Sequence, residues 1–326
     1  MKKFLALILA LAMALCLVAC GQEAAAPAED AGADAGADAA ETEIVVVLKC
    51  VTSEYWKTVM AGCEAAGEDL GVKVSVIGPN AESDIEPQVA MIETAIGAGC
   101  SAIVCAPNDA GAANGALQAA IDAGIPVLSV DTNCGIAGQT CFVGTMNDVA
   151  AYQGGLKAIE ILGDGATKAA IIYGQDGDNT SNMRRDGYQK ACDEKGVEVP
   201  DGAVLTGKNT TDGGKQAMES LLEVFGDELS VVFCHNDDTA FGAASACADA
   251  GIDSIMIVGF DGNDSAKKNI QSGELPTFKM TIAQQPYVMG YAVIENALKA
   301  INGESVDEVV AADVAFITAE NVADFL

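Results

Sequence analysis

The feature that most constrains the fold is a pattern that occurs twice, over residues 103–131 and 231–261. Each copy starts with an apolar run ending in Asn-Asp, continues with an alanine-rich helical stretch, and closes with a second apolar run ending in aspartate. This order is typical of a βαβ unit. Because the unit occurs twice, the sequence predicts two similar α/β lobes with a ligand held between them. Any alternating α/β chain would share part of the pattern, but not the repeated Asn-Asp and terminal Asp.

Apolar runs also alternate with helical stretches along the rest of the chain. The runs are mostly continuous, as expected for parallel strands that are covered by helices on both faces. The predicted strands are 44–50, 72–77, 101–105, 125–130, 141–144, 168–173, 198–205, 230–234, 254–260 and 278–283. The predicted fold class is therefore α/β, with two doubly wound parallel sheets.

The N-terminus has the features of a secretory signal peptide. Two lysines precede a short apolar run and the sequence LVAC, which ends at Cys20 and is typical of a lipobox. We expect residues 1–20 to be a lipoprotein signal peptide and Cys20 to be acylated, with a signal anchor as the alternative. Residues 21–42 are rich in Ala, Gly and acidic residues, which predicts a disordered tether. The folded body would then lie outside the cytoplasm, attached to the cell membrane through lipid alone.

Charge and cysteine content exclude several classes of ligand. A formal net charge of −30 argues against nucleic acid, whose binding needs Lys and Arg to displace counterions. The eleven cysteines include no CxxC pair, and His235 is the only histidine, so no zinc site is predicted. Most cysteines lie in apolar runs and are predicted to be buried thiols. Cys134 and Cys141 flank a short loop and are candidates for a disulfide.

The residues that follow each strand carry the functional prediction, because ligands of such sheets bind at the carboxyl ends of the strands. These residues are polar or aromatic, and they include no nucleophile–histidine–acid set and no glycine-rich phosphate loop. His235 is interpreted as a structural residue at a strand end rather than a base. The sequence thus predicts a binding protein and not an enzyme, with no catalytic residue, cofactor or metal.

Four phrases in or beside the predicted strands point to one family: VGFDG at 258–262, ND at 236–237, IPV at 125–127 and TIAQ at 281–284. With them, residues 43–326 resemble the periplasmic sugar-binding proteins of the ribose/galactose type, the type I substrate-binding proteins of ABC importers. The resemblance implies two lobes, joined by a three-crossover hinge, that close on a sugar. The implied lobes are 43–145 plus 285–313 (N-terminal) and 146–284 plus 314–326 (C-terminal).

The resemblance also implies ligand contacts from both lobes. Carried over position by position, they are Lys49, Ser53, Tyr55, Trp56, Asp131, Thr132, Arg184, Asn209, Asn236, Asp261 and Gln284. Their chemistry suits a neutral sugar, because carboxylates accept hydrogen bonds from hydroxyls and flat aromatic faces pack on C–H groups. Alternatives remain open for some of them: core packing for Trp56, helix N-capping for Asp131 and Asp261, and solvent exposure for Lys49.

Three positions depart from the ribose-binding pattern. Lys49 replaces a small hydroxyl residue, Thr132 replaces an arginine, and Met146 replaces an acidic residue at the first crossover. A lysine at the first position resembles the branch that binds other pentoses, deoxysugars or furanosyl autoinducer-2. The predicted ligand is thus a small neutral sugar, namely a pentose, hexose, deoxysugar or related furanosyl compound.

The predicted function is a monomeric, lipid-anchored protein that delivers this sugar to an ABC permease. A sensor subunit that presents the sugar or autoinducer-2 to a chemoreceptor or histidine kinase is the alternative. A LacI-type regulator would share the fold but would need a helix-turn-helix headpiece, and this chain has a lipobox and an acidic tether instead.

Overall fold

The computed structural model describes residues 42–326, so the predicted signal peptide, Cys20 and the tether up to residue 41 lie outside the described residues. Within that part of the chain, the strands form two six-stranded sheets. No helix in the described range is long and apolar enough to cross a membrane.

The first sheet is parallel throughout, with helices on both faces. Its strands are β1 (Glu43–Val47), β2 (Lys73–Ile77), β3 (Ala102–Cys105), β4 (Val127–Val130), β5 (Cys141–Thr145) and β11 (Val309–Ala312). They lie in the order β11-β5-β4-β3-β1-β2. The covering helices are α1 (Glu54–Leu70), α2 (Ile85–Ala98), α3 (Ala110–Asp122) and α9 (Pro286–Ile301). Alternate residues of β1 pack into apolar clusters on opposite faces, one with α1 and α9 and the other with α2 and α3.

The second sheet repeats this plan. Its strands are β6 (Ala169–Tyr173), β7 (Val204–Thr206), β8 (Val231–Cys234), β9 (Met256–Asp261), β10 (Phe278–Ala283) and β12 (Ala315–Thr318). They lie in the order β12-β10-β9-β8-β6-β7, and only β12 pairs antiparallel. The associated helices are α4 (Asn147–Leu162), α5 (Asn179–Lys195), α6 (Thr211–Phe225), α7 (Asp237–Ala250) and α8 (Asp264–Ser272). Both faces again carry apolar clusters.

The two sheets have the same internal topology, which confirms the predicted fold class. The order β2-β1-β3-β4-β5 in the first corresponds to β7-β6-β8-β9-β10 in the second. The chain passes between the sheets three times: from β5 to α4, from β10 to α9 and from β11 to β12. The structure therefore consists of two similar doubly wound lobes joined by three crossovers. The exact residues at which one lobe ends and the other begins stay a prediction.

The structure differs from the sequence prediction at a few elements. Strands β11 and β12 were not predicted. Each has only four residues, and most of those residues are half-buried or exposed, so neither strand forms a continuous apolar run. The strand predicted over 198–205 is shorter, since β7 covers Val204–Thr206 and residue 198 forms an isolated bridge. Cys134 and Cys141 are both buried free thiols, so the candidate disulfide is not formed.

Candidate functional site

A cavity lies between the carboxyl ends of the two sheets. The space between its walls, counted out to open solvent, is about 330 Å³. The first lobe contributes Lys49, Ser53, Tyr55, Trp56, Glu82 and Asp131, and the second contributes Thr180, Arg184, His235, Asn236, Asp238 and Asp261. Because both lobes form the wall, the cavity has this shape only when the lobes are closed.

Asp131 lies directly after β4 and is held by two hydroxyl donors. The hydroxyl of Tyr55 donates to Oδ2 at 2.6 Å, and the hydroxyl of Thr132 donates to Oδ1 at 2.8 Å. The backbone of Asp131 has a φ of 63°, in the left-handed region that non-glycine residues seldom adopt. No helix starts at this position, since the next begins at Asn147, so N-capping does not explain the residue. Its carboxylate retains lone pairs that can accept further hydrogen bonds.

Asp261 is the equivalent residue at the end of β9. Its Oδ1 accepts a hydrogen bond from Nε2 of Gln284 at 3.0 Å, and its backbone φ is 118°. It is not a helix cap, because α8 is preceded by Asn263. Burial, with repulsion from Asp237 and Asp131, raises the pKa of Asp261 well above its usual value despite the nearby guanidinium of Arg184. The repeated strand-end aspartates thus line the same cavity from opposite lobes.

Arg184 is held rigidly against the second lobe. Its Nε donates to Oδ1 of Asn147 and its Nη1 donates to the carbonyl oxygen of His235, both at 2.8 Å. The guanidinium carbon lies 3.6 Å from the centre of the Phe260 ring, and Nη1 lies 3.7 Å from Oδ1 of Asp261. Such a fixed guanidinium can present its remaining N–H groups to a ligand.

His235, the residue after β8, also lines the cavity, and its interpretation as a structural residue rather than a base stays a prediction. It is 5% exposed, and its Nδ1 has no hydrogen-bond partner among the described residues. Burial and the nearby charge of Arg184 hold the pKa of His235 well below its usual value. The imidazole is therefore neutral near pH 7.

Lys49, two residues after the end of β1, is buried and not directed to solvent, so the exposed alternative was wrong. The residue is 2% exposed, and its Nζ lies 2.7 Å from Oδ2 of Asp178 in the opposite lobe. Asp178 caps α5, accepting hydrogen bonds from the amide of Thr180 at 3.0 Å and its hydroxyl at 2.6 Å. Burial alone would raise the pKa of Asp178, but Lys49 and the other polar neighbours lower it to about 2. Burial alone would lower the pKa of Lys49, but the surrounding carboxylates outweigh it and raise the pKa of the ammonium above its usual value.

Trp56 fits both of its interpretations, because it packs in the core of the first lobe and also lines the cavity. Its ring meets that of Tyr55 edge to face, with 5.2 Å between centroids. Its indole Nε1 donates to Oε1 of Glu82 at 2.7 Å. The backbone of Trp56 is anchored by Ser53, which is the N-cap of α1. The hydroxyl oxygen of Ser53 accepts a hydrogen bond from the backbone amide of Trp56 at 3.3 Å.

Three residues predicted as ligand contacts do not line the cavity. Thr132 donates to Asp131, Gln284 donates to Asp261, and Asn209 donates to Oε2 of Glu82 at 2.6 Å. They therefore stand behind the wall and orient residues that do line it. Asn236 lines the cavity and at the same time caps α7.

Sequence reasoning missed Glu82, Asp178, Thr180 and Asp238. Glu82 accepts donors from both lobes, from Trp56 and from Asn209, and burial raises its pKa above the usual value. Burial, with repulsion from Glu54, likewise raises the pKa of Asp238. Glu82 lies in the loop after β2, and Asp178 and Thr180 follow β6. Extending the strand-end rule along these loops and into the first turns of α5 and α7 would have included all four residues.

The wall of the cavity is rich in groups that can form hydrogen bonds. The wall carries four carboxylates and two cations, together with hydroxyl, amide and aromatic groups. Such a surface accepts hydrogen bonds from several hydroxyl groups at once. Over residues 42–326, no group of three or more His, Cys, Asp or Glu side chains is arranged to hold a metal ion.

Comparison with known proteins gives consistent matches that span both lobes. Residues 44–305 match the family described as periplasmic binding protein domain. The ribose import binding protein of Bacillus subtilis is 28% identical over 272 residues, covering 83% of this chain and 86% of its own. A carbohydrate transporter solute-binding protein from Agrobacterium radiobacter, in complex with D-arabinose, is 28% identical with a TM-score of 0.78, covering 88% of this chain and 97% of its own. An ABC transporter periplasmic solute-binding protein from Actinobacillus succinogenes with bound D-allose is 25% identical with a TM-score of 0.79, covering 87% and 100%.

Proposed function

The chain belongs to the periplasmic binding protein family, and on this premise we propose that it captures a small neutral sugar between its lobes for delivery to an ABC permease. The observation that carries the proposal is the meeting of Asp131 and Asp261, equivalent strand-end residues of the two lobes, in the wall of one cavity. The relatives with bound D-arabinose and D-allose support the class of ligand.

Sugar binding would use the groups of the wall in complementary ways. Hydroxyl groups of the sugar donate to Asp131 and Asp261, and hydrogen bonds with one charged partner are about twice as strong as neutral ones. Arg184 donates to sugar oxygens, and the rings of Tyr55 and Trp56 offer apolar faces to C–H groups. Because these groups come from both lobes, a sugar between them stabilises the closed state relative to the open one.

The proposal extends to cellular context. A lipid on Cys20 and the acidic tether of residues 21–42 would hold the protein at the outer face of the cell membrane, where it acts as a monomer. Release of the sugar to the permease then requires only that the lobes reopen. The protein would catalyse no reaction and bind no nucleic acid, in keeping with its net charge of −30.

The test is a thermal-unfolding screen against neutral pentoses, hexoses, deoxysugars and cyclitols. A sugar at about a hundredfold over its dissociation constant should add roughly 2.7 kcal/mol to the free energy of unfolding. The same sugar should stabilise an Asp131→Ala/Asp261→Ala variant much less. If no compound of the panel shifts the transition at millimolar concentration, the proposed function is wrong.

A further inference from the structure

We propose that Asp178 is a specificity-determining residue that makes the cleft select uncharged sugars over sugar acids, by neutralising Lys49 across the cleft. This inference rests on the proposed function and identifies the class of sugar that the site accepts. Neither the sequence patterns nor the resemblance pointed to Asp178.

The ion pair forms only when the lobes are closed. Lys49 follows β1 in the first lobe and Asp178 precedes α5 in the second, with 2.7 Å between Nζ and Oδ2. The side chains are 2% and 0% exposed, so each charge has lost its water and needs a counter-charge inside the protein. In an open cleft the lobes separate and both groups return to solvent. When the lobes close, the ammonium of Lys49 therefore pairs with Asp178 and not with the ligand.

Asp178 is fixed in place before any ligand arrives. Its Oδ1 accepts hydrogen bonds from the backbone amide and the hydroxyl of Thr180, as the N-cap of α5. Oδ2 remains for Lys49, and Nζ of Lys49 reaches the Thr180 hydroxyl oxygen as well, at 3.4 Å. A carboxylate that is anchored in this way keeps the ammonium occupied when the cleft is closed.

The other charges in the wall would oppose an anionic ligand. Arg184, the second cation of the wall, lies against Asp261 and donates to Asn147 and His235. Asp131 and Asp238 form no ion pair among the described residues, and Glu82 lies near them in the same wall. A ligand carboxylate would thus meet uncompensated carboxylates, while the hydroxyl groups of a neutral sugar would find acceptors. Bringing a further negative charge into this buried, acidic wall would therefore be unfavourable.

The experiment compares wild type with Asp178→Asn by titration calorimetry. The probes are three pairs of a neutral sugar and its acid: D-ribose and D-ribonate, D-glucose and D-glucuronate, D-galactose and D-galacturonate. Asparagine is as good an N-cap as aspartate, so α5 keeps its cap while Lys49 loses its counter-charge. We expect the affinity for the neutral probe to fall at least tenfold, and the ratio of acid to neutral affinity to rise at least tenfold.

Two further variants separate this role from a structural one. Asp176→Asn removes an exposed carboxylate two residues away in the same loop and should leave both affinities unchanged. In Lys49→Met/Asp178→Asn the buried ammonium is gone, so the gain in affinity for the acid should disappear. An unchanged ratio of acid to neutral affinity in Asp178→Asn would overturn the proposal.

The outcome also distinguishes this inference from the proposed function. If wild type binds none of the neutral probes, the proposed function fails for these sugars. The role of Asp178 is then judged from the acids alone: a gain of acid binding in Asp178→Asn supports it, and no gain overturns it.

Discussion

Replacing Glu82 by Gln should weaken sugar binding without destabilising either lobe. The two carboxylate oxygens accept different donors, Nε1 of Trp56 at 2.7 Å and Nδ2 of Asn209 at 2.6 Å. Gln175 of the second lobe also donates to the backbone oxygen of Glu82, at 3.1 Å. Glu82 and Asn209 lie in opposite lobes, so their bond exists only in the closed state. A glutamine side chain has a single acceptor oxygen, and its amide N–H₂ would face one of the two donors.

The expected magnitude follows from the number of bonds lost. Hydrogen bonds to charged groups contribute about 1.5–3 kcal/mol each, and Glu82→Gln loses at least one of them. If the hydrogen bond to Asn209 is the one lost, the closed state alone is destabilised, and the binding free energy falls by the full contribution of that bond. The dissociation constant should then rise by roughly 10- to 150-fold, at about 1.4 kcal/mol per factor of ten.

Titration calorimetry with the most stabilising sugar measures this change, and thermal unfolding of the ligand-free protein reports the stability of the fold. The matched control is Glu86→Gln, an exposed carboxylate in the first turn of α2 that should leave affinity unchanged. A Glu82→Gln variant that binds within about twofold of wild type would refute the role of Glu82 in closure.

Two other predictions rest on the geometry of the cavity, and a third rests on the N-terminal sequence. Asp131→Ala and Asp261→Ala should each cost about 1.5–3 kcal/mol of binding free energy in calorimetry while the far-UV spectrum is retained; wild-type affinity in both would mean that the ligand lies elsewhere. In the closed, sugar-saturated protein the pKa of the Asp178 carboxyl is about 2, below its usual 3.8, so this group stabilises the closed protein above about pH 4 and the contribution disappears as pH falls towards 2. Between those limits wild type should lose about 2 kcal/mol more unfolding free energy than Asp178→Asn, whereas parallel pH profiles would contradict the ion pair. Finally, Cys20→Ala should leave the protein either unprocessed or released from the membrane; unchanged processing together with an unchanged membrane-bound fraction would exclude the lipobox.

The fold could be predicted from the sequence because its strands are continuous apolar runs in a repeated order. Asp131 and Asp261 could be predicted for the same reason, since each directly ends such a run. Strands β11 and β12 could not, because half-buried edge strands of four residues have no apolar pattern to recognise.

The contacts between the lobes could not be predicted, because they depend on how the lobes close. Lys49 has the same local sequence whether it faces solvent or an ion partner, and that partner, Asp178, lies far along the chain. Glu82 is five residues beyond the end of β2, and only the path of its loop brings it to Asn209. Strand-end residues take their position from the sheet, but loop residues take theirs from tertiary contacts.

The most direct test of the account is a crystal structure of the protein with the neutral sugar that stabilises it most. We predict electron density for one sugar in the cavity between the sheets, with its hydroxyl groups within hydrogen-bonding distance of Asp131 and Asp261 and the Lys49–Asp178 ion pair intact. A sugar bound outside this cavity, or bound in it without contact to either aspartate, would contradict the account.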